Sequence, residues 1–151
     1  MRGYEADDHE PVWRLHDAAM RGAGIHLGEG HWYDDLREIE NVYLHNGGEF
    51  LVGTLGGDVV AIGAVKKTTD DRAEIKYMRV DPEFQRRGFG QAILTALERR
   101  AAELGYEALH LDTAVQQKTA RHLYESNGYR EVRRGRKGAV DCVFYEKSDL
   151  A

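Results

Sequence analysis

The chain has 151 residues, of which 31% are charged and 42% hydrophobic, and its formal net charge is −5. This length suits one domain over residues 1–151, and the composition is that of a folded globular protein, which excludes a disordered chain. The acidic balance argues against wholesale binding to a polyanion such as nucleic acid, and the single cysteine, Cys142, excludes an intramolecular disulfide and a cysteine metal cluster.

Two observations concern the compartment. No apolar stretch reaches the ~20 residues that a membrane span requires. The first eight residues also lack the apolar segment of a secretory signal. We therefore expect a cytoplasmic protein that does not bind membranes.

The N-terminal third predicts a short strand, a helix and a loop. Apolar side chains recur at helical spacing between Pro11 and Met20, which predicts the first helix. The following residues, 22–32, contain too many glycines for a helix and predict a loop. A short helix is expected over residues 34–39.

Three strands are predicted next, because the apolar pattern changes. Residues 49–55 and 59–65 are apolar runs on either side of Gly56-Gly57-Asp58, which is a hairpin signal. Residues 74–80 alternate between apolar and polar side chains and predict a third strand, which ends at Asp81-Pro82.

The C-terminal half alternates helices with strands. An apolar stripe from Gly90 to Leu104 predicts a helix with Gly105 as its cap, and a second helix ends before Gly128. Strands are expected over residues 108–112, 129–134 and 141–147, with a turn at 135–138 before the last. A strand–helix–strand crossover makes parallel neighbours, so the fold class is α/β with a mixed sheet.

The most informative segment reads Gln85-Arg86-Arg87-Gly88-Phe89-Gly90 and leads from a strand into a helix. Its glycines let the backbone approach a ligand closely, and the helix start adds unpaired N–H groups and the positive end of a dipole. Together these features suit a pyrophosphate. The pattern is neither a P-loop nor the dinucleotide motif. The alternative is a tight turn in which the glycines only relieve steric crowding.

This segment resembles the Gln/Arg-x-x-Gly-x-Gly/Ala acyl-CoA signature of the GNAT N-acetyltransferase superfamily. Residues 120–129, Ala-Arg-His-Leu-Tyr-Glu-Ser-Asn-Gly-Tyr, are similar to that family's Ala-x-x-Leu-Tyr-x-x-x-Gly-Phe block. The resemblance implies a mixed, mostly antiparallel sheet of six to seven strands, with flanking helices and a splayed parallel pair. It also implies transfer of an acetyl group from acetyl-CoA to a primary amine of a small molecule or a protein.

The same resemblance implies where acetyl-CoA would bind, namely in a wedge between the strands at 74–80 and 108–112. The backbones of Met78 and Val80 would pair with the pantetheine arm, and the N–H of Met78 would polarise the acetyl carbonyl. Gln117 stands where many relatives have an asparagine that contacts the cofactor. The remaining contacts are expected from Gln85, Arg86, Arg87, Gly88, Phe89, Gly90 and Gln91.

A general base is useful because a lysine-like amine, with a pKa near 10.4, needs roughly 4.6 kcal/mol to reach its neutral form at pH 7. Glu74 lies eleven residues before Gln85, the spacing at which some family members place a catalytic glutamate. If the strand alternates regularly, Glu74 shares a face with Lys76 and Met78. A structural salt bridge of Glu74 to Lys76 or Arg79 is the alternative.

Tyr124 is the second catalytic candidate. At the matching position of the family, a tyrosine hydroxyl protonates the departing CoA thiolate. The alternative is a tyrosine whose ring only packs in the core. In the early loop, His26, His31 and Trp32 lie where the family borders its acceptor pocket, although they also suit an ordinary surface loop.

Other sites and functions are disfavoured. The histidines lack metal-ligand spacing, so no metal is expected. The basic stretch at residues 133–137 suits a solvated turn better than a nucleic-acid site. A CoA-binding sensor without turnover remains the alternative function. Relatives often dimerise, which leaves a homodimer open.

Overall fold

The computed structural model describes residues 1–25 and 33–150. Its regular elements are β1 (Arg2–Gly3), α1 (His9–Ala23), β2 (Glu49–Leu55), β3 (Asp58–Lys67), β4 (Arg72–Val80), α2 (Phe89–Glu103), β5 (Ala108–Ala114), α3 (Lys118–Ser126), β6 (Arg130–Lys137) and β7 (Val140–Ser148). The strands form one sheet in the order β1-β2-β3-β4-β5-β7-β6, in which β4 and β5 pair in parallel and the other neighbours are antiparallel. The predicted mixed sheet with its splayed parallel pair is confirmed.

Two apolar clusters cover the two faces of this sheet. On one face, α2 buries the side chains of Ile93, Leu94 and Leu97 against strands β3, β4 and β5. On the other face, α1 buries Val12 and Leu15 together with residues of β2 and β3. None of the described helices combines the length and the hydropathy that a membrane span requires.

Two local predictions differ from the structure in their bounds. The short helix expected over residues 34–39 is a 3₁₀ helix over Asp34–Arg37, and a separate π-helical turn follows at Glu40–Leu44. The turn expected at residues 135–138 is shorter, because β6 continues to Lys137 and Gly138, with φ +60°, supplies the left-handed turn residue. Glycine at 135 therefore lies within a strand and does not mark the loop.

A β-bulge in β4 changes the face of its second half. Tyr77 has φ +55°, and the register to β3 shifts so that Ala64 pairs with Lys76 whereas Ile62 pairs with Arg79. Lys76 and Tyr77 both face the α1 side, and Met78 packs on the α2 side. The expectation that Glu74, Lys76 and Met78 share one face was therefore wrong for Met78, because the extra residue of a bulge reverses the alternation.

His16 of α1 is the most deeply buried histidine of the described residues. It is 1% exposed, lies between the rings of Trp13, Tyr33 and Tyr77, and its Nδ1 has no hydrogen-bond partner. Burial, reinforced by the positive charge of Arg79, lowers the pKa of His16 from 6.5 to about 4.

This burial predicts acid sensitivity. Between pH 6.5 and 4 the unfolded chain binds a proton at His16 and the folded chain does not, so the free energy of unfolding should fall by about 3 kcal/mol. His16→Phe keeps an aromatic ring and removes the titration. Chemical denaturation at pH 7, 5.5 and 4 should therefore give a flatter dependence for the variant. Parallel curves for the two proteins would contradict the assignment.

Candidate functional site

The candidate site begins where β4 and β5 separate. The two strands pair only at their first residues, Arg72 with Ala108, Ala73 with Leu109 and Glu74 with His110. Beyond this point, β5 keeps its pairing with β7 and β4 keeps its pairing with β3, so the two strands diverge. A cavity lies in the resulting wedge, lined by β4, β5, the start of α3 and the end of α1.

The chain between β4 and α2 turns at residues 85–88, and these residues together with the first three of α2 (residues 85–91) are called the signature turn. Asp81 fixes its approach, because its side chain accepts a hydrogen bond of 2.9 Å from the N–H of Glu83. Arg86 and Gly88 have φ of +65° and +84°, and α2 begins at Phe89. Within residues 1–25 and 33–150, the backbone N–H groups of residues 86–91 form no hydrogen bond. This is the arrangement that binds anions at helix starts.

The two glycines of the signature turn have different structural roles. A Cβ at Gly88 would meet nothing within 4 Å, so glycine is needed there for its left-handed φ. A Cβ at Gly90 would lie 3.5 Å from Leu123 and 3.9 Å from Val80, so glycine there lets α2 pack closely on α3 and β4. Gly88 is thus the glycine that leaves open space at the surface of the turn.

Gln91 joins the two motifs that were recognised in the sequence. Its side-chain amide exchanges hydrogen bonds of 3.0 and 2.9 Å with Asn127, which follows α3. Asn127 also donates to the carbonyl of Leu123 at 2.8 Å. This contact was missed in the sequence. The start of α2 is held to the end of α3 by this amide pair.

The other signature side chains extend away from the core. Gln85, Arg86 and Arg87 are exposed, and the guanidinium of Arg87 lies over the ring of Phe84 at 5.1 Å. Phe89 packs against the α2 cluster, as do Met78 and Val80. Gln117 lines the wedge cavity at the start of α3.

Tyr124 of α3 also lines the wedge cavity. It is 5% exposed and packs against the rings of Tyr129 and Tyr145. Its hydroxyl has no hydrogen bond to any described residue. Burial raises the pKa of Tyr124 to about 12, an effect that the charge of Arg79 opposes. The residue therefore both packs in the core and presents a protonated hydroxyl group at the cavity.

Glu74 lies at the point of separation, on the last parallel pair, and lines the cavity. The alternative of a salt bridge to Lys76 or Arg79 does not occur, since Glu74 forms no ion pair with the described residues. Lys76 is instead 3.3 Å from Asp35, and Lys66, which faces Glu74 across the strands, is 3.7 Å from Asp35.

Asp35 is the carboxylate that pairs with both Lys66 and Lys76. This residue was not identified from the sequence. Its carboxylate accepts hydrogen bonds from the hydroxyls of Tyr43, at 2.6 Å, and Tyr77. Burial alone would raise the pKa of Asp35, but these bonds and the two lysines outweigh burial and lower it. The short segment carrying Asp35 is thereby anchored to β4, and Glu74 is left without a cation.

The remaining sequence candidates are less informative. His26, His31 and Trp32 lie outside the described residues. In the basic hairpin, Arg134 and Arg136 are paired with Glu131 and Asp141, and Arg133 lies over the ring of Phe144 at 3.7 Å. Across the part of the chain that the structure describes, no group of three or more acidic, histidine or cysteine side chains is placed to hold a metal ion.

Comparison with known proteins decides the family. Residues 9–129 match the sequence profile of the Acetyltransferase (GNAT) family. The chain belongs to the GNAT acetyltransferase family. The resemblance predicted from residues 85–90 and 120–129 is confirmed.

Relatives of this GNAT protein agree in sequence and in fold. N-acetylaspartate synthetase of Danio rerio is 37% identical over 106 residues, which cover 66% of this chain and 36% of that protein. The chain thus spans about a third of the length of this curated relative. A GNAT acetyltransferase of Staphylococcus aureus superposes with a TM-score of 0.88 at 23% identity, over 99% of this chain and 97% of that one. The PaiA N-acetyltransferase of Thermoplasma acidophilum, solved in complex with coenzyme A, gives 0.79 at 18% identity, over 97% and 96%.

Proposed function

We propose that this GNAT protein is an acetyl-CoA-dependent N-acetyltransferase that acts on a primary amine. The observation that carries the proposal is the signature turn, whose N–H groups form no hydrogen bond with the described residues where α2 begins. The family match supports the same reaction. A CoA-binding sensor would need the turn but not the side chains at 74 and 124.

The residues present fit acetyl-CoA. The N–H groups of residues 86–91 and the positive end of α2 would hold the pyrophosphate, with Arg86 and Arg87 adding charge at the surface. The unpaired edge of β4 near Met78 and Val80 would take the pantetheine arm as an added strand. Gln117, which lines the cavity, would contact the same arm.

The chemistry requires two proton movements. The amine nitrogen forms a bond to the acetyl carbon, the carbon–sulfur bond breaks, the nitrogen loses a proton and the thiolate of CoA gains one. Glu74 would accept the amine proton, directly or through a water. Tyr124 would donate a hydrogen bond to the thiolate as charge develops on it, and the N–H of Met78 would stabilise the carbonyl oxygen.

The acceptor is proposed to be an amino acid. The relatives found by sequence are named N-acetylaspartate synthetase, which implies acetylation of an amino-acid amine by those proteins. Because this chain spans only about a third of their length, the inference needs a direct test.

Binding of acetyl-CoA tests the proposal, and the two glycines sharpen it. Acetyl-CoA should raise the melting temperature of the wild-type protein, whereas an amine alone should not. Gly88→Ala forces a side chain into a left-handed φ, at a cost of about 1–2 kcal/mol. The free turn relieves this strain by leaving the conformation that binds the pyrophosphate, so acetyl-CoA binding should weaken about 5–30-fold. Gly90→Ala, whose Cβ points at Leu123, should change the affinity less than threefold.

Calorimetric titration with acetyl-CoA measures these affinities. Equal losses at Gly88 and Gly90 would contradict the distinction between the two glycines. No melting shift at saturating acetyl-CoA would remove both the enzyme and the sensor. A shift without CoA release for any amine would leave only the sensor.

A further inference from the structure

The wedge cavity contains a guanidinium that the donor-binding residues do not explain. Arg79 lies on β4 two residues after the bulge and lines the cavity. Its Nη1 donates to the carbonyl of Met78 at 3.1 Å, while its Nε is buried with no hydrogen-bond partner. The guanidinium carbon lies 5.9 Å from the centre of the Tyr77 ring, which supports the side chain on one side.

Two of the charged side chains that line the cavity have no ion-pair partner among the described residues. Five charged residues line it, and two of the cations already have partners: Lys76 has Asp35 at 3.3 Å, and Lys137 has Asp112 at 3.5 Å. This leaves one anion, Glu74, and one cation, Arg79, without an ion pair in the described part of the chain. Both lie on β4, and the residues between them face the same cavity.

A guanidinium whose Nε is buried without a hydrogen-bond partner is costly, and its planar set of donors suits a carboxylate. The opposite charges of Glu74 and Arg79 are complementary to a ligand with an amine at one end and a carboxylate at the other. A polyamine would place a second cation beside Arg79, and a neutral amine would leave it unpaired.

We propose that Arg79 binds the carboxylate of the acetyl acceptor and thereby selects amines that carry a carboxylate. This inference rests on the proposed acetyltransferase function. Arg79 is a specificity-determining residue in this assignment, and Glu74 receives the amine of the same molecule.

The test compares acceptors with and without the carboxylate. CoA release is measured with the twenty common amino acids, with their α-carboxamides and with ethylamine. The wild-type protein should favour at least one free acid over its carboxamide by about 100-fold in kcat/KM, and Arg79→Met should reduce this preference to less than threefold. Arg79→Lys should keep part of it. Arg99→Gln, which removes an exposed positive charge from α2, should leave the preference unchanged.

Two further measurements distinguish an acceptor site at Arg79 from a donor site. The KM for acetyl-CoA should stay within threefold in Arg79→Met, which separates an acceptor site from a donor site. The preferred amino acid should also raise the melting temperature of the wild-type protein in the presence of CoA, but not that of Arg79→Met.

The possible results distinguish a failure of the role of Arg79 from a failure of the acetyltransferase function. Equal losses for acids and carboxamides, a raised acetyl-CoA KM, or a wild-type protein that acetylates carboxamides and acids alike would overturn the role of Arg79. No CoA release with any amine would instead refute the acetyltransferase proposal. In that event a melting shift that depends on both the carboxylate and Arg79 would still support the binding site, and its absence would refute it.

Discussion

Replacing Tyr124 by phenylalanine should lower kcat about 10²–10⁴-fold and leave the affinity for acetyl-CoA within threefold. The hydroxyl makes no bond to the described residues, so its loss removes nothing from the ground state that these residues show. Its pKa of about 12 keeps it protonated throughout the working pH range. Full proton transfer to a thiolate with a pKa near 8.5 would be uphill by about 5 kcal/mol, so Tyr124 would act by hydrogen bonding to the developing charge.

Tyr129 supplies the matched control for this experiment. Its ring contacts that of Tyr124 at 5.8 Å, but its hydroxyl donates to Glu98, which also binds Lys147. Tyr129→Phe should therefore reduce stability modestly and leave kcat unchanged. Steady-state and single-turnover rates of both variants measure the difference. An unchanged rate in Tyr124→Phe would reduce Tyr124 to a packing residue.

Glu74→Gln should lower the rate about 10²–10³-fold at pH 7 and less than tenfold near pH 10. The physical reason lies in the acceptor: near pH 10 a large fraction of a primary amine is already neutral, so the base is no longer required. Because Lys66 and Lys76 are both directed to Asp35, the substitution leaves no lysine newly unpaired. The fold should therefore be unaffected.

The pH profile of kcat/KM measures this effect. Glu107→Gln, which removes an exposed carboxylate before β5, is the control and should reproduce the wild-type profile. A loss that is uniform from pH 6 to pH 10 would show that Glu74 positions other groups and does not accept the proton.

The sequence predicted those features that depend on neighbouring residues. The strand–turn–helix around Gly88 is encoded within a dozen positions, and the parallel pairing of β4 with β5 follows from the helix between them. Their separation was implied only by the family resemblance. Features that depend on distant partners were missed. Asp35 reaches Tyr77 across 42 residues of chain, and neither residue carries a local signal for the other.

The sequence also did not predict on which face of the sheet the side chains in the second half of β4 lie. Regular alternation placed Met78 with Glu74, but the bulge at Tyr77 separates them. A non-glycine residue with positive φ has no reliable local signature, and its position is set by packing against Gly63, where a Cβ would lie 2.9 Å from the sulfur of Met78. For the same reason Arg79 was considered only as a salt-bridge partner.

The bulge also separates residues of β4 that differ in their contribution to stability. Ala73 and Ile75, which precede the bulge, are buried in the apolar cluster under α2. After the bulge, Tyr77 is buried in the second apolar cluster, whereas Arg79 belongs to neither cluster and its guanidinium lies over the Tyr77 ring. A substitution of Arg79 can therefore change which molecules are accepted at a smaller cost to thermal stability than a substitution of Ala73, Ile75 or Tyr77.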